Sequence, residues 1–107
     1  MTVFIVETFF VKPEKQFEFK SFLQKWRKYR KENKEKFKEM KSWRIFTQTF
    51  GSMSGAYIEQ MEFDSLAEYE KRKARLQKDK EYSKLRQEGL NLIDTTTFSM
   101  SAWEPVK

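Results

Sequence analysis

Ten residues near the start, Thr2–Val11, limit the fold more than any other stretch of the chain. They read as a strand that is apolar on both faces, with Val3, Ile5, Phe9 and Val11 alternating with Phe4, Val6 and Phe10. Such a strand must be covered on both sides. Lys12-Pro13 ends it, because proline brings no amide to a ladder and suits a first helical turn.

The same grammar, strand then helix, runs twice through the 107 residues. Glu14 to about Met40 carries Phe19, Phe22, Leu23, Trp26, Phe37 and Met40 at helical spacing. Its second half is thinly apolar, so the helix is expected to fray or end early near Asn33. A second strand is expected over Ser42–Phe50, then a turn at Gly51-Ser52-Met53-Ser54-Gly55, then a third strand ending at Phe63. Asp64-Ser65 with Glu68 forms a capping-box pattern for the next helix. That helix sets Leu66, Tyr69, Leu76, Tyr82 and Leu85 inward; Lys78-Asp79-Lys80 interrupts the stripe, and Asp79 can cap a fresh segment. Gly89 starts the exit, and Thr95–Trp103 is the fourth strand, stopped by Glu104-Pro105.

The order β-α-β-β-α-β predicts one α+β domain over residues 1–107, a ferredoxin-like four-stranded antiparallel sheet with two helices on one face. The first strand is central, and the first and third strands are expected side by side and parallel. Two helices cover one sheet face only. The other face of the two-faced strand predicts a second copy, packed sheet to sheet as an isologous homodimer.

Composition removes much catalytic chemistry. With no Cys there is no thiol nucleophile or thiolate site, and with no His the commonest general base and metal ligand is missing. No cofactor and no metal is expected. No run approaches a membrane span, and a cytoplasmic protein is expected. The net charge of +6 lies wholly in residues 14–41, with 11 Lys/Arg against 5 Glu. Such a face can attract nucleic acid or anionic lipid. Interleaved acids, as in the pair Glu32–Lys36 at helical spacing, favour a solvated face instead, and no nucleic-acid motif accompanies the charge.

Two acids, Glu7 and Glu59, stand mid-strand in strands expected to be neighbours. Facing one pocket, they would repel, raise one pKa and form a general acid/base pair, with Tyr57 a further candidate. The alternative is that each pairs with Arg44, Gln48, Tyr57 or a dimer-mate residue, or points to solvent. Trp26, Trp43, Tyr57 and Trp103 could line an aromatic pocket for a flat apolar ligand, against plain core packing. Alternation sends Glu59 and Glu62 to opposite faces, which argues against a carboxylate metal cluster with Asp64.

Phe4-Ile5-Val6-Glu7-Thr8-Phe9-Phe10-Val11-Lys12-Pro13, followed by Phe19, Phe22 and Trp26, resembles the opening of NIPSNAP-type proteins. So do Trp43, Phe50-Gly51, the run Phe63-Asp64-Ser65-Leu66-Ala67-Glu68-Tyr69 and the run Leu76 to Tyr82. The resemblance implies a dimeric α/β-barrel with a pocket between each sheet and its helices. It implies a protein that binds a hydrophobic or aromatic small molecule or, alternatively, a cofactor-independent monooxygenase or isomerase of the antibiotic-biosynthesis-monooxygenase type. Such monooxygenases use Trp, Tyr and Asn around a phenolic substrate; the asparagines here, Asn33 and Asn91, lie on or near helices. Two departures stand out. Glu7 takes a position where the family often has Arg, and Glu14 one where it often has Gly. The haem-converting relatives need a histidine that this chain lacks.

Overall fold

The computed structural model describes residues 2–107. Strand β1 (Val3–Val11) leads through a 3-10 turn at Pro13–Lys15 into α1 (Gln16–Glu32). A second 3-10 turn, Lys34–Phe37, precedes β2 (Met40–Thr47) and β3 (Tyr57–Phe63); α2 (Leu66–Gln77), α3 (Lys80–Leu90) and β4 (Ile93–Trp103) follow. The sheet order is β2-β3-β1-β4. Every neighbouring pair is antiparallel, so the expected adjacency of the first and third strands holds and their expected parallel direction does not. The reason is the connection: β2 runs the same way as β1 after a helical crossover, and the hairpin then turns β3 against both.

Among the described residues the helical layer contains three α-helices, where two were expected. Lys78 closes α2, and Asp79 adopts an extended conformation whose carboxylate accepts from the Tyr82 amide at 2.9 Å, starting α3. Ser65 caps α2 in the same way, accepting from the Glu68 amide at 3.2 Å. The reciprocal half of the capping box is replaced by an ion pair of Glu68 with Lys71. Helix α1 stops at Glu32, where Asn33 donates its side-chain amide to the Tyr29 carbonyl. That early stop lets β2 begin at Met40 and end at Thr47, earlier than expected. Gln48, Thr49 and Phe50 therefore fall in the loop, which is closed by hydrogen bonds between Gln48 and Ala56 (2.9 Å) and between Gly55 and Gln48 (2.7 Å). Leu66, expected inward, is half exposed on the first turn of α2.

The helices cover the face that carries Val3, Ile5, Glu7, Phe9 and Val11 of β1, all buried. Three apolar clusters fill this layer. One joins Phe9, Phe19, Leu23, Tyr57 and Ile93; one joins Val3, Ile5, Met61, Phe63 and Tyr69; the third joins Trp26, Phe37, Leu76 and Leu85. Trp43 packs against all three, so one edge-strand indole ties the layer together. Where α3 meets α1 the backbone comes very close. A Cβ on Gly89 would lie 2.6 Å from the Phe22 ring, so α3 continues through this glycine, expected as the start of the exit, to Leu90.

The opposite sheet face carries no helix among the described residues. Phe4, Val6 and Thr8 of β1 lie there beside Ile58, Gln60 and Glu62 of β3, with Arg44 and Phe46 on β2 and Ser101 and Trp103 on β4. Phe46 is 47% and Trp103 52% exposed, as expected for a sheet surface left uncovered by its own chain.

Candidate functional site

On the helix side, antiparallel pairing sets one row of residues straight across the sheet: Ile45 on β2, Glu59 on β3, Glu7 on β1 and Met100 on β4. Two carboxyls are thus direct cross-strand neighbours, a placement that ordinarily destabilises a sheet. The flanking rows are apolar, Tyr57 and Phe9 on one side and Met61 and Ile5 on the other. Both acids line a cavity of about 90 Å³ between the sheet, α1 and α3. Its walls are largely aromatic, from Phe9, Phe19, Phe22, Trp26 and Phe98.

Phe98 alternates onto the cavity side with Met100, and Ile93, five residues away on β4, shares that side because the strand is irregular between them. The β1–β4 register jumps between Thr8 and Phe10, and the Phe10 amide donates to the Thr97 hydroxyl at 3.0 Å instead of to the ladder. Asp94 holds the bulge by accepting from the Thr96 amide (3.1 Å) and hydroxyl (2.6 Å). Such bulges re-aim side chains; here Phe98 stacks on Phe9 with ring centroids 6.3 Å apart.

Burial raises the Glu59 pKa, the neighbouring charge of Glu7 and a hydrogen bond with Glu7 raise it further, and the group is pushed up to about 8. Near neutral pH the pair therefore holds a proton. Trp43 and Arg86 act in the opposite sense and favour the Glu59 carboxylate. Among the described residues the Trp43 indole N–H nevertheless has no partner at hydrogen-bonding geometry, and neither has that of Trp26. Arg86, on α3, is exposed as a whole yet lines the cavity together with Tyr82, one turn earlier. Burial works against the Arg86 charge, but Tyr82, Glu7 and Glu59 outweigh it and raise its pKa. A proton-sharing acid pair, an arginine and a phenol thus converge in an aromatic pocket. Such a group can bind a polar substituent on a flat molecule and move a proton to or from it.

The structure brings together Glu7, Glu59 and Trp26 of the residues singled out from sequence. Tyr57 is buried behind the wall, stacked on Phe9 at 6.0 Å and edge-on to Phe19 at 4.8 Å. Trp43 stands beside Glu59 but outside the lining, and Trp103 lies on the opposite sheet face next to Phe4. Arg44, a possible partner for the acids, is also on that opposite face. Glu62 is there too, accepting from the Ser42 hydroxyl at 2.9 Å, so it does not join Glu59. Sequence reading missed Arg86, Tyr82 in this role, and Phe98. The available signal was the spacing Tyr82, Leu85, Arg86, Gly89, which puts a cation at the margin of an inward stripe.

The NIPSNAP family profile matches residues 6–102. None of the curated proteins matches the sequence significantly. Among solved structures, a NIPSNAP family protein from Agrobacterium tumefaciens superposes with a TM-score of 0.77 at 12% identity, over 99% of this chain and 94% of that one. An uncharacterized NIPSNAP domain protein from Burkholderia xenovorans gives 0.73 at 15% identity, over 99% and 95%. A putative antibiotic biosynthesis monooxygenase from Caulobacter crescentus gives 0.69 at 12% identity, over 99% and 91%. At these identities the structures speak for the fold alone. The profile match spans nearly the whole chain, and with the βαββαβ sheet and its helical layer it assigns the protein to the NIPSNAP family.

Proposed function

We propose that this protein binds a small, flat, largely apolar molecule between the sheet and helices α1 and α3, with its polar substituent held by Glu7, Glu59 and Arg86. The observation that carries the reading is the pairing of Glu7 with Glu59 in an apolar row of the sheet. Two adjacent acids oppose folding there. A ligand that uses their shared proton gives them a reason to be present. The cavity size favours a single-ring ligand, since about 90 Å³ falls below the usual range of drug-sized sites.

Native mass spectrometry and calorimetry against substituted phenols and small aromatic acids test this. Binding of a single-ring compound that weakens about tenfold or more in Glu59→Gln, the loss of one charge-assisted hydrogen bond, is the expected result. Binding unchanged in Glu7→Gln and Glu59→Gln would remove both acids from the site.

A second reading, a proton-transfer enzyme of the isomerase or cofactor-independent monooxygenase kind, is favoured by one observation: Glu59 lines the cavity beside Glu7, where burial and the second acid push its pKa up toward the range in which a general acid/base works. It predicts that Glu59→Gln keeps the ligand and loses turnover, and equal turnover in that variant rules Glu59 out as the base.

The working unit we propose is a homodimer packed through the uncovered sheet face. Its support is the apolar surface of Phe4, Phe46, Ile58 and Trp103 on strands whose other face is already filled. Sedimentation at twice the chain mass is expected, and Phe46→Lys should shift it to the monomer; a wild-type monomer at micromolar concentration overturns this part. A cytoplasmic setting belongs to the same proposal and is open to cell fractionation.

A further inference from the structure

The charge of α1 does not end as the solvated, self-neutralised face that its interleaved acids suggested. Glu39 turns to Arg75, whose guanidinium grips both its carboxylate oxygens. Lys36 leaves the expected partner Glu32 and pairs with Asp79 at 2.8 Å and Glu81 at 3.4 Å. Acids and counter-ions therefore gather on the side of α2 and α3. On the other side, Arg27, Arg30, Lys31, Lys34, Lys38 and Lys41 line a groove of about 560 Å³, and among the described residues no carboxylate lines it. Among the described residues Arg27, Arg30, Lys31 and Lys34 make no ion pair, Lys38 reaches Glu35 only at 4.0 Å, and Lys41 pairs with Asp64 at 2.9 Å.

The groove has a floor and a fixed geometry. Phe37, Met40 and Trp43 form its apolar base, between the end of α1 and the edge strand β2. The guanidinium carbons of Arg30 and Arg27 lie 4.9 and 5.5 Å from the centre of the Trp43 ring. The two like charges are thus held together on one indole. Burial and then the Arg27 charge lower the Arg30 pKa, and Glu59 offsets them only in part. Planar forks fixed on an aromatic ring suit phosphate oxygens, and the neighbouring lysines add mobile point charges.

We infer that this groove is a binding site for a soluble oligophosphate ligand, of the chemistry of a nucleoside di- or triphosphate. A small ligand fits better than a membrane or a nucleic-acid strand, because the cations converge on one concavity with a volume in the range of small-molecule sites. The Trp43 ring, on which a base could otherwise stack, already carries Arg27 and Arg30. The site is separate from the acid-lined cavity, with which it shares no lining residue.

Calorimetric titration of the whole protein with inorganic tripolyphosphate, at low and at physiological salt, tests this. Saturable one-to-one binding is expected, weakened about tenfold or more in Arg27→Gln/Arg30→Gln. Because that variant uncovers Trp43, Lys31→Gln/Lys34→Gln serves as a second probe, exposed and free of packing duties, and should weaken binding severalfold. Lys73→Gln/Lys80→Gln, with the same loss of charge on exposed positions of α2 and α3, should bind as wild type. No binding at low salt overturns the inference, and so does an equal loss in the Lys73/Lys80 variant, which would mean attraction by net charge alone. Binding to phosphatidylcholine vesicles containing one part in five phosphatidylserine, or to oligothymidylate, with none to tripolyphosphate, overturns it in favour of a surface or a nucleic acid.

Discussion

Glu39 and Glu59 are both removed from water, and they behave oppositely. The Glu39 carboxylate meets Arg75, which lowers its pKa and clasps the start of β2 to α2. Glu59 meets burial and a second acid, which raise its pKa to about 8. The first acid is placed so that its charge helps the fold; the second is placed where its charge opposes it. Burial alone therefore does not mark a functional carboxyl. The partner does, and an acid whose cross-strand neighbour is another acid is the better candidate for a functional group.

The largest effect should separate the two in pH. Glu59 has a folded-state pKa above its unfolded value, so the stability linked to its proton is full below about 4.5 and is lost as pH rises through about 8. A displacement of that size corresponds to several kcal/mol. The chain has no histidine, so no other side chain of ordinary pKa titrates over most of that range. Thermal unfolding from pH 5 to pH 9 should show a steady fall in Tm that Glu59→Gln removes, leaving the variant more stable than wild type at pH 9. A flat wild-type profile would break the comparison.

The next effect belongs to the clasp. Glu39 has a lowered folded-state pKa, so its contribution is present above the unfolded value and is lost as pH falls through the folded one. Arg75→Met should cost about 1–2 kcal/mol near neutral pH, the value of a charge-assisted hydrogen bond reduced because Arg75 is partly exposed. The penalty should fade in acid. Denaturant unfolding at neutral pH and near pH 3 measures it, and a loss that persists unchanged at low pH would mean that Arg75 acts through packing.

What could be read from sequence follows the range of the interactions. Local grammar was visible: the two-faced β1, the Ser65 cap and the break at Asp79, each set by residues a few positions apart. Glu7 was also within reach, since period-two alternation puts it on the face of Val3, Ile5, Phe9 and Val11, and only that face is covered by helices. Long-range placement was not visible. Lys36 lost its expected partner because α1 stops at Glu32 and the 3-10 turn swings the lysine to α3. Arg86 reaches the acids only through the rotational phase of α3, set by a cap seven residues earlier. Ile93 and Phe98, five residues apart, share the cavity face only because of the β4 bulge between them, and no local pattern in Thr95-Thr96-Thr97 announces a bulge there.

The smallest change in stability should come from Gly89→Ala, which tests the cavity more than the fold. Alanine gains about 1 kcal/mol of helix propensity over glycine. Its Cβ would stand 2.6 Å from the Phe22 ring, and such overpacking costs about 1–3 kcal/mol. The two terms nearly cancel, provided the ring can turn aside. Phe22 is only half-buried and lines the cavity, so the open space is the direction in which it can turn. The expected outcome is a net loss of about 1 kcal/mol or less in stability, with loss of any single-ring ligand and a fall in the Glu59 pKa if water replaces the displaced packing. Unfolding, ligand titration and the pH profile of the variant measure the three together. If Gly89→Ala instead costs several kcal/mol, the α1–α3 contact is rigid, and the acids are held by a frame that does not yield toward the cavity.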